Sequence, residues 1–498
     1  YIFTKSPFKK TVFVYNSAKR IYKATFMSNT EISTHSRYTA PTHGLFSLSW
    51  PIFIDLAMHY LTVTINIYMV SMISLQAVAE LNVGSQAFQL AFTLFNFVNI
   101  GVCVCCAQAL GNGNKSIVRR VIHMGLGLNI VWGICIVLVC FSGAGVICKI
   151  MNIPPDIFHT SKEYLMLISF TFFAEAINLC ASAILRAHGC TRDPMYVNIA
   201  GNIIIIFGNY ILLFGNFGAP ALGIYGVAVS TLVSRFLAVG FLYYLMVKRT
   251  NVKIVPKFFF IIKKKVLKQI FSVGLPGAGE NLTWQLQFLF MTSIVGTFGT
   301  VALATQGIYA QMCGLIMLFS ISVGMGTEIL VSHYAGAMQF NLANRQLLHS
   351  VKMGMLITAL LSVNIPFWLG DTVLSIFTDD PRVFEMARPI FYVSVVMEVG
   401  RILNIIIINS LRAVGDTRFP VIMAVISMWG VSVTIGTFLS VYMHMGLLGV
   451  WIGFCCDECS RGVIMLIRWK TKGWVKAAKR NYRINYMKKK VQKSALKA

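Results

Sequence analysis

Four carboxylic acids lie inside long apolar runs of the chain. They are Asp55 in WPIFIDLAMHY, Glu280 in GLPGAGENLTWQLQF, Glu328 in GMGTEILVSHYAG and Glu398 in VVMEVGRILNIIIINS. An ionisable side chain at membrane depth costs several kcal/mol, so an acid kept there indicates a functional group by default. A carboxylate in such a place can bind and release a proton or a small cation. We therefore interpret these four acids as candidate cation-coupling residues.

Two of the acids have a basic neighbour on the same helical face. His59 follows Asp55 at i+4, which indicates either a titratable cation site or an internal hydrogen-bonded pair near one interface. Arg401 follows Glu398 at i+3, and Asn404 comes one turn later. Arg401 either neutralises Glu398 within one helix or swings away and lets Glu398 bind a cation; the sequence leaves both readings open.

Glu280 and Glu328 have helix-breaking or small residues as neighbours in the sequence. Pro276 and nearby glycines free backbone carbonyls beside Glu280, a combination that suits Na⁺ or H⁺; the alternative is a structural helix–helix hydrogen bond. Glu328, flanked by small residues, could meet Glu280 or Glu398 in a shared site for proton exchange, or remain a protonated hydrogen-bond donor. Trp284 and Gln285 follow one turn after Glu280 and are our candidates for a substrate cavity, since an aromatic face attracts cations.

The composition requires these acids to be held by membrane-spanning helices. The chain has 498 residues, 56% of them hydrophobic and 12% charged, with a mean hydropathy of +0.70. A soluble domain carries about 25% charged residues. Since about 20 apolar residues span the hydrocarbon core, we count twelve spans. They are about 46–69, 85–110, 121–143, 162–184, 195–214, 222–247, 271–296, 308–332, 351–370, 387–410, 420–442 and 446–467.

The formal charge of +26 is placed at the ends of the apolar runs. Lys and Arg crowd into residues 1–45, the stretch 248–270 and the tail 468–498, and they alternate from one loop to the next. This pattern favours contact with anionic lipid headgroups and not with nucleic acid. By the positive-inside rule, both termini are predicted to be cytoplasmic.

A repeated decapeptide divides the chain into two halves. LRAHGCTRDP at 185–194 returns as LRAVGDTRFP at 411–420, 226 positions later, and further matches such as Pro51 with Pro276 recur at an offset of 225. We therefore predict two parallel six-helix halves, 46–247 and 271–467, around a central cavity, as in transporters built from parallel repeats. The other segments are a basic N-terminal part, whose residues 1–26 precede Met27 and are interpreted as an upstream extension, a basic linker and a basic tail.

Twelve spans with LRAxGDTRxP-like loops after the fourth and tenth span resemble the multidrug and toxic compound extrusion (MATE) transporters, in their Gram-positive-like bacterial branch. Leu275–Asn281 and Gly449–Gly453 strengthen the resemblance, whereas Asn66 stands where related members carry an aspartate. The resemblance implies an antiporter of the bacterial plasma membrane that exchanges Na⁺ or H⁺ for amphipathic, often cationic compounds.

Two other functions on the same fold are a flippase for a lipid-linked precursor and an exporter of an endogenous metabolite. Few arginines lie within the predicted spans, so we expect an anionic cavity, which disfavours the flippase. The sequence has no Walker loop, HExxH or GxSxG, and we predict neither an enzyme nor a cofactor beyond the coupling ion. We expect a monomer whose partners are membrane lipid and small substrates.

Overall fold

The computed structural model describes residues 44–259 and 263–482. The predicted basic N-terminal segment, part of the linker and most of the basic tail therefore lie outside the described residues. Within them the chain folds into helices joined by short turns, and it contains no β-strand in these two ranges. The predicted all-α fold is confirmed.

Twelve main helices, with shorter helical segments between some of them, follow one another in the described chain. In the first half they are α1 (Leu45–Ser71), α2 (Leu75–Gly111), α3 (Lys115–Ser142), α4 (Pro155–Ala187), α5 (Arg192–Leu212) and α6 (Ile224–Thr250). In the second half they are α7 (Lys264–Gly296), α8 (Thr300–Gly336), α9 (Phe340–Asn364), α10 (Pro381–Ala413), α11 (Arg418–Ser427) and α12 (Gly446–Lys470). A short helix, α13 (Gly473–Tyr482), follows α12.

Ten of these helices are long and apolar enough to cross a membrane. The α11 span continues to Tyr442 through two π-helical segments, Met428–Val433 and Phe438–Tyr442. Helices α7 and α12 have comparable lengths but contain more polar or charged residues, among them the acids at 280, 457 and 458. Charged groups lower the mean hydropathy of a span. They occur there when they pair with groups on neighbouring helices.

Among the described residues, the apolar core that joins the two halves lies at one end of the molecule. One buried apolar cluster there combines residues of both halves, for example Ile52 and Val102 with Ile270 and Ile329. At the other end, one cluster consists of first-half residues and a separate one of second-half residues. We call the end with the mixed cluster the basic end, because the two decapeptides and the linker lie there. The halves are packed together there, and each has its own core at the opposite end.

The two decapeptides form equivalent turns at the basic end. Gly189 and Gly415 have φ angles of +81° and +84°, a conformation that a residue without a Cβ adopts readily. Pro194 and Pro420 are the third residues of α5 and α11, in the first turn where helix amides have no helical partner. Each decapeptide is therefore a tight turn followed by the start of a helix.

Candidate functional site

Each half pairs an acid of its first helix with the arginine of its decapeptide. In the first half, Arg186 donates to Asp55 at 2.7 Å. In the second half, Arg412 donates to Glu280 at 2.5 Å. Asp55 and Glu280 are 225 positions apart and the two arginines 226 apart, so the pairs occupy equivalent places in the repeat. The sequence indicated the acids but assigned the arginines to loop orientation only.

The decapeptides hold their half together through two further side chains. Thr417 donates its hydroxyl to the carbonyl of Ser272 at 2.8 Å, and the equivalent Thr191 lies 3.5 Å from the carbonyl of Ser47. Arg249 pairs with Asp193 at the end of α6, and Arg468 pairs with Asp416 at the end of α12. The repeated sequence is therefore a polar junction that joins the first, fourth, fifth and sixth helices of each half.

Asp55 does not pair with His59. Its second oxygen accepts a hydrogen bond from Asn198 at 2.7 Å, so both oxygens have partners from other helices. The ring of His59 stacks on Phe92 with a centroid distance of 6.4 Å. The predicted i+4 pair is thus replaced by an ion pair with Arg186, and Asp55 has its own counter-charge.

A second ion pair occurs at equivalent positions of the two halves, but the acid and the base have changed places. In the first half, Glu175 of α4 lies 3.3 Å from Arg235 of α6. In the second half, Arg401 of α10 lies 3.6 Å from Glu458 of α12. Glu175 and Arg401 occupy equivalent positions, and each is paired within its own half.

Glu398 and the acids of α12 form one network in the second half. Arg401 donates to Glu398 at 2.5 Å, and Asn404 donates to Glu458 at 2.9 Å. Arg461 contacts both α12 acids, Asp457 at 2.8 Å and Glu458 at 3.2 Å. The Glu398–Arg401 pair, one of the two arrangements that the i+3 spacing indicated, is present, and it joins an ion-pair cluster on the last helix.

Carboxylates outnumber guanidinium groups in this buried region of the second half. The five acids are Glu280, Glu328, Glu398, Asp457 and Glu458, and the three bases are Arg401, Arg412 and Arg461. Among the described residues, Oε1 of Glu328 and Oε2 of Glu398 are buried without a hydrogen-bonding partner. In the middle of the first half, by comparison, the two ion pairs of Asp55 and Glu175 are balanced. The second half therefore has two carboxylates in excess.

A central cavity of 310 Å³ brings several of these groups together. Glu280, Glu328 and Asn404 line it, and so does Trp284, whereas Glu398 is not part of its wall. The second-half wall also contains three arginines, at 401, 412 and 461. These arginines face three carboxylates of the wall, Glu280, Glu328 and Glu458. The excess of acids that the sequence predicted therefore lies in the buried region around the cavity, which also holds Glu398 and Asp457, and not in the cavity wall alone.

Two sequence candidates lie elsewhere. Asn66 accepts a hydrogen bond from Asn209 at 2.9 Å, and Asn209 in turn accepts one from Ser230, so Asn66 belongs to a polar chain in the first half. Gln285 is not part of the wall of this cavity. Gln287, two residues further on, lines a neighbouring chamber instead. The sequence did not indicate this residue, since the phase of α7 beyond Pro276 cannot be read from its composition.

The halves are locked together at the basic end by equivalent hydrogen bonds. Gln108 of α2 donates to the carbonyl of Ala413 at 2.7 Å, and His333 of α8 contacts the carbonyl of Ala187 through Nε2 at 2.9 Å. Gln108 and His333 are 225 positions apart, and the two alanines belong to the two decapeptides. Each decapeptide thus accepts one hydrogen bond from the other half.

Glycines permit this contact between the halves. A methyl group added at Gly111 would overlap the carbonyl oxygen of His333, and one at Gly336 would overlap that of Gln108. Only a residue without a Cβ allows two helix backbones to approach so closely. The latch, meaning Gln108, His333 and the two glycines, therefore closes the basic end.

Two six-helix halves with an internal cavity that is rich in buried ion pairs define a polytopic transporter built from parallel repeats. The MatE family model matches residues 51–211 and 276–438. The chain therefore belongs to the MatE family, the transporters that its decapeptides resemble.

Individual relatives agree with this assignment. The "Uncharacterized transporter YisQ" of Bacillus subtilis is 33% identical over 441 residues, covering 87% of this chain and 95% of that protein. The "Probable multidrug resistance protein NorM" of Thermotoga maritima is 28% identical, covering 81% and 87%. A MATE family transporter solved in an outward-facing conformation has the same fold, with a TM-score of 0.79, 20% identity and coverage of 87% and 96%. The chain is thus a multi-pass membrane transporter.

Proposed function

We propose that the chain is a secondary active antiporter that exports amphipathic, cationic compounds in exchange for Na⁺ or H⁺ by alternating access. Membership of the MatE family supports the transport class, and relatives that bear the name multidrug resistance protein support the kind of substrate. The observation that carries the proposal is the excess of two buried carboxylates in the second half.

The excess carboxylates explain why binding of the ion and binding of a cationic substrate alternate. Two uncompensated negative charges cannot remain in a low-dielectric interior, so they must bind protons or small cations, or meet the charge of a cationic substrate. These occupants compete because they neutralise the same excess of negative charge, and Glu328 in the cavity wall can meet either of them. Loss of the ion therefore prepares the cavity for a cationic substrate, and arrival of the ion expels it.

Glu328 and Glu398 are the acids that bind the coupling ion in this proposal. Each has an unpartnered buried oxygen, and Glu328 lines the cavity. Asp55 and Glu280 are held by Arg186 and Arg412, so their first role is to join helices. They contribute to coupling when the arginine is displaced.

The basic end faces the cytoplasm in this proposal, and both termini are cytoplasmic. The loops at that end contain most of the Lys and Arg residues between the described helices, as the positive-inside rule requires. The halves are joined at this end and have separate cores at the other, so the conformation opens outward. The bacterial relatives favour the plasma membrane of a bacterium.

Export of an anionic metabolite, or of a lipid-linked precursor, is the second candidate. The three arginines in the cavity wall are the observation that favours it. Each arginine is already paired with a carboxylate, so a pyrophosphate group would have to displace an acid that belongs to the fold. For this reason we place the cationic substrate first.

The proposal is tested by ethidium efflux from drug-sensitive cells that express the chain, with the Na⁺ and proton gradients varied independently. We expect efflux that follows one of the two gradients. Glu328→Gln should abolish that dependence, whereas Glu385→Gln, which changes an exposed acid of α10, should leave it unchanged. Well-inserted protein that gives no efflux under either gradient contradicts the drug assignment and favours the metabolite or lipid substrate.

A further inference from the structure

A small chamber opens beside the central cavity, inside the second half. It has a volume of 120 Å³, and the cavity has 310 Å³. The two share wall residues, among them Trp284, Met317 and Arg401. A molecule in the cavity can therefore extend one part of itself into the chamber.

Four aromatic side chains form one continuous part of the chamber wall. Trp284 stacks on Phe288 with a centroid distance of 5.7 Å, and Phe288 lies 6.2 Å from Phe454. Phe454 also packs against Trp451 at 5.3 Å. These rings come from α7 and α12, so they enclose a space with flat apolar faces, which suits another aromatic ring.

Two polar groups in this apolar wall have no partner. The side chain of Gln287 is 0% exposed, and neither its amide nitrogen nor its amide oxygen has a hydrogen-bonding partner among the described residues. The indole nitrogen of Trp451 is unpartnered in the same way. A buried polar group without a partner is costly, so a ligand that supplies an acceptor and a donor here would relieve that cost.

The charged side chains in the chamber wall are held in ion pairs and hydrogen bonds. Asp457 accepts hydrogen bonds from Arg461 at 2.8 Å and from Ser427 at 2.6 Å. Glu458 is held by Arg461 at 3.2 Å and by Asn404 at 2.9 Å. Arg401, the third charged residue of the wall, pairs with Glu398 and Glu458. Since all three charged residues of the wall are already paired, we expect the occupant of the chamber to be uncharged.

We propose that the chamber is a subsite for one uncharged aromatic ring that carries a hydrogen-bonding substituent, while the rest of the molecule occupies the central cavity. The size supports a single ring, since an apolar protein cavity of about 150 Å³ binds benzene. This inference rests on the proposed export function and specifies its substrate: an amphipathic molecule with a polar aromatic arm.

The direct test uses three neutral probes with the full chain in lipid nanodiscs, observed by saturation-transfer NMR. Benzamide has the ring and the amide, cyclohexanecarboxamide has only the amide, and toluene has only the ring. We expect benzamide to bind more tightly than either. Gln287→Leu should weaken benzamide binding by about three- to tenfold, the effect of one lost hydrogen bond, and leave toluene unchanged.

Two further variants make the result unambiguous. Gln306→Leu is the matched control, because Gln306 is a buried amide of the same half that is not part of the chamber wall. Ala310→Leu fills the chamber from α8 and should abolish benzamide binding even if Gln287→Leu fails to fold. Equal binding of benzamide and cyclohexanecarboxamide, no benzamide binding, or benzamide binding that both chamber variants leave intact would overturn the inference.

Ethidium efflux measured in parallel separates this inference from the proposed function. If efflux follows an ion gradient but benzamide shows no selectivity, the subsite is wrong and the exporter stands. If benzamide binding depends on Gln287 but no gradient drives efflux, the ring subsite stands and the drug-export proposal fails.

Discussion

Replacing Gly336 by Ala should open the basic end of the transporter. The added methyl group would overlap the backbone carbonyl oxygen of Gln108, which cannot move unless α2 shifts as a whole. The same shift would weaken the hydrogen bond from Gln108 to Ala413. The substitution therefore destabilises the closed state of the basic end, because the overlap disappears when the halves separate there.

The magnitude follows from the cost of overpacking. An extra methyl group in a tightly packed contact typically costs about 1–3 kcal/mol. If the open state is free of the overlap, this cost appears as a change in the equilibrium between the two states. A difference of this size corresponds to about a 5- to 150-fold shift in population. A state that is rare in the native protein would then be readily detected.

The assay is double electron–electron resonance between spin labels at Lys115 and Lys476. Both residues are exposed at the basic end, Lys115 at the start of α3 in the first half and Lys476 in α13, which follows the last helix of the second half. Labels attached to genetically encoded amino acids leave the native cysteines unmodified. We expect Gly336→Ala, and the equivalent Gly111→Ala, to add a long-distance component that is weak or absent in the native protein.

Gly307→Ala provides the control for this experiment. Gly307 is in the same helix, α8, and a methyl group there would meet no atom within 4 Å. It should give the native distance distribution. If Gly336→Ala is folded and also gives the native distribution, the close approach of α2 and α8 is not what holds the basic end closed, and the latch is refuted.

Three other predictions concern the buried charges. Glu328→Gln should remove the ion dependence of transport and leave the melting temperature in detergent almost unchanged. Asp55→Asn should lower the melting temperature, because it leaves the partly buried Arg186 without its counter-charge. Arg412→Leu should destabilise the protein by about 3–5 kcal/mol, the cost of breaking a buried pair from one side, measured by denaturant unfolding. Glu175→Arg and Arg235→Glu should each lower the melting temperature, and the double variant should recover much of the loss because the second half already uses the exchanged arrangement. A double variant no more stable than either single one would contradict this explanation.

The sequence predicted the large features of the fold for simple physical reasons. Apolar runs of sufficient length must cross the membrane, and a repeated decapeptide at a constant offset must occupy equivalent places in two halves. The same rules identified the buried acids at 55, 280, 328 and 398, since charged groups are rare at membrane depth. Their status as candidate coupling residues remains a prediction.

The partners of these acids could not be predicted as easily. Arg186 and Arg412 stand at the ends of apolar runs, where a positive charge normally serves to orient the helix. Both lie in the last turn of a helix and reach an acid of the first helix of their half. The offsets of 225 and 226 would have indicated this, because an acid and an arginine recur together in both halves.

The choice between Gln285 and Gln287 shows a second limit. Helix α7 is apolar on several sides, so its pattern does not reveal which face meets α12 and which meets lipid. Pro276 lies inside the helix and adds to this uncertainty in phase. Only the packed structure shows that the buried amide of Gln287 lines the chamber.

The central claim is that the exported substrate is exchanged for an ion that the second-half carboxylates bind. The most direct test uses purified protein in proteoliposomes that are loaded with ²²Na⁺ or with a pH indicator. An ethidium gradient is then imposed with no other gradient present. We predict that ethidium movement drives Na⁺ or protons in the opposite direction, and that Glu328→Gln abolishes this flux while Glu385→Gln does not. Ethidium transport with no counter-flux of either ion, or a counter-flux that survives Glu328→Gln, would contradict the account.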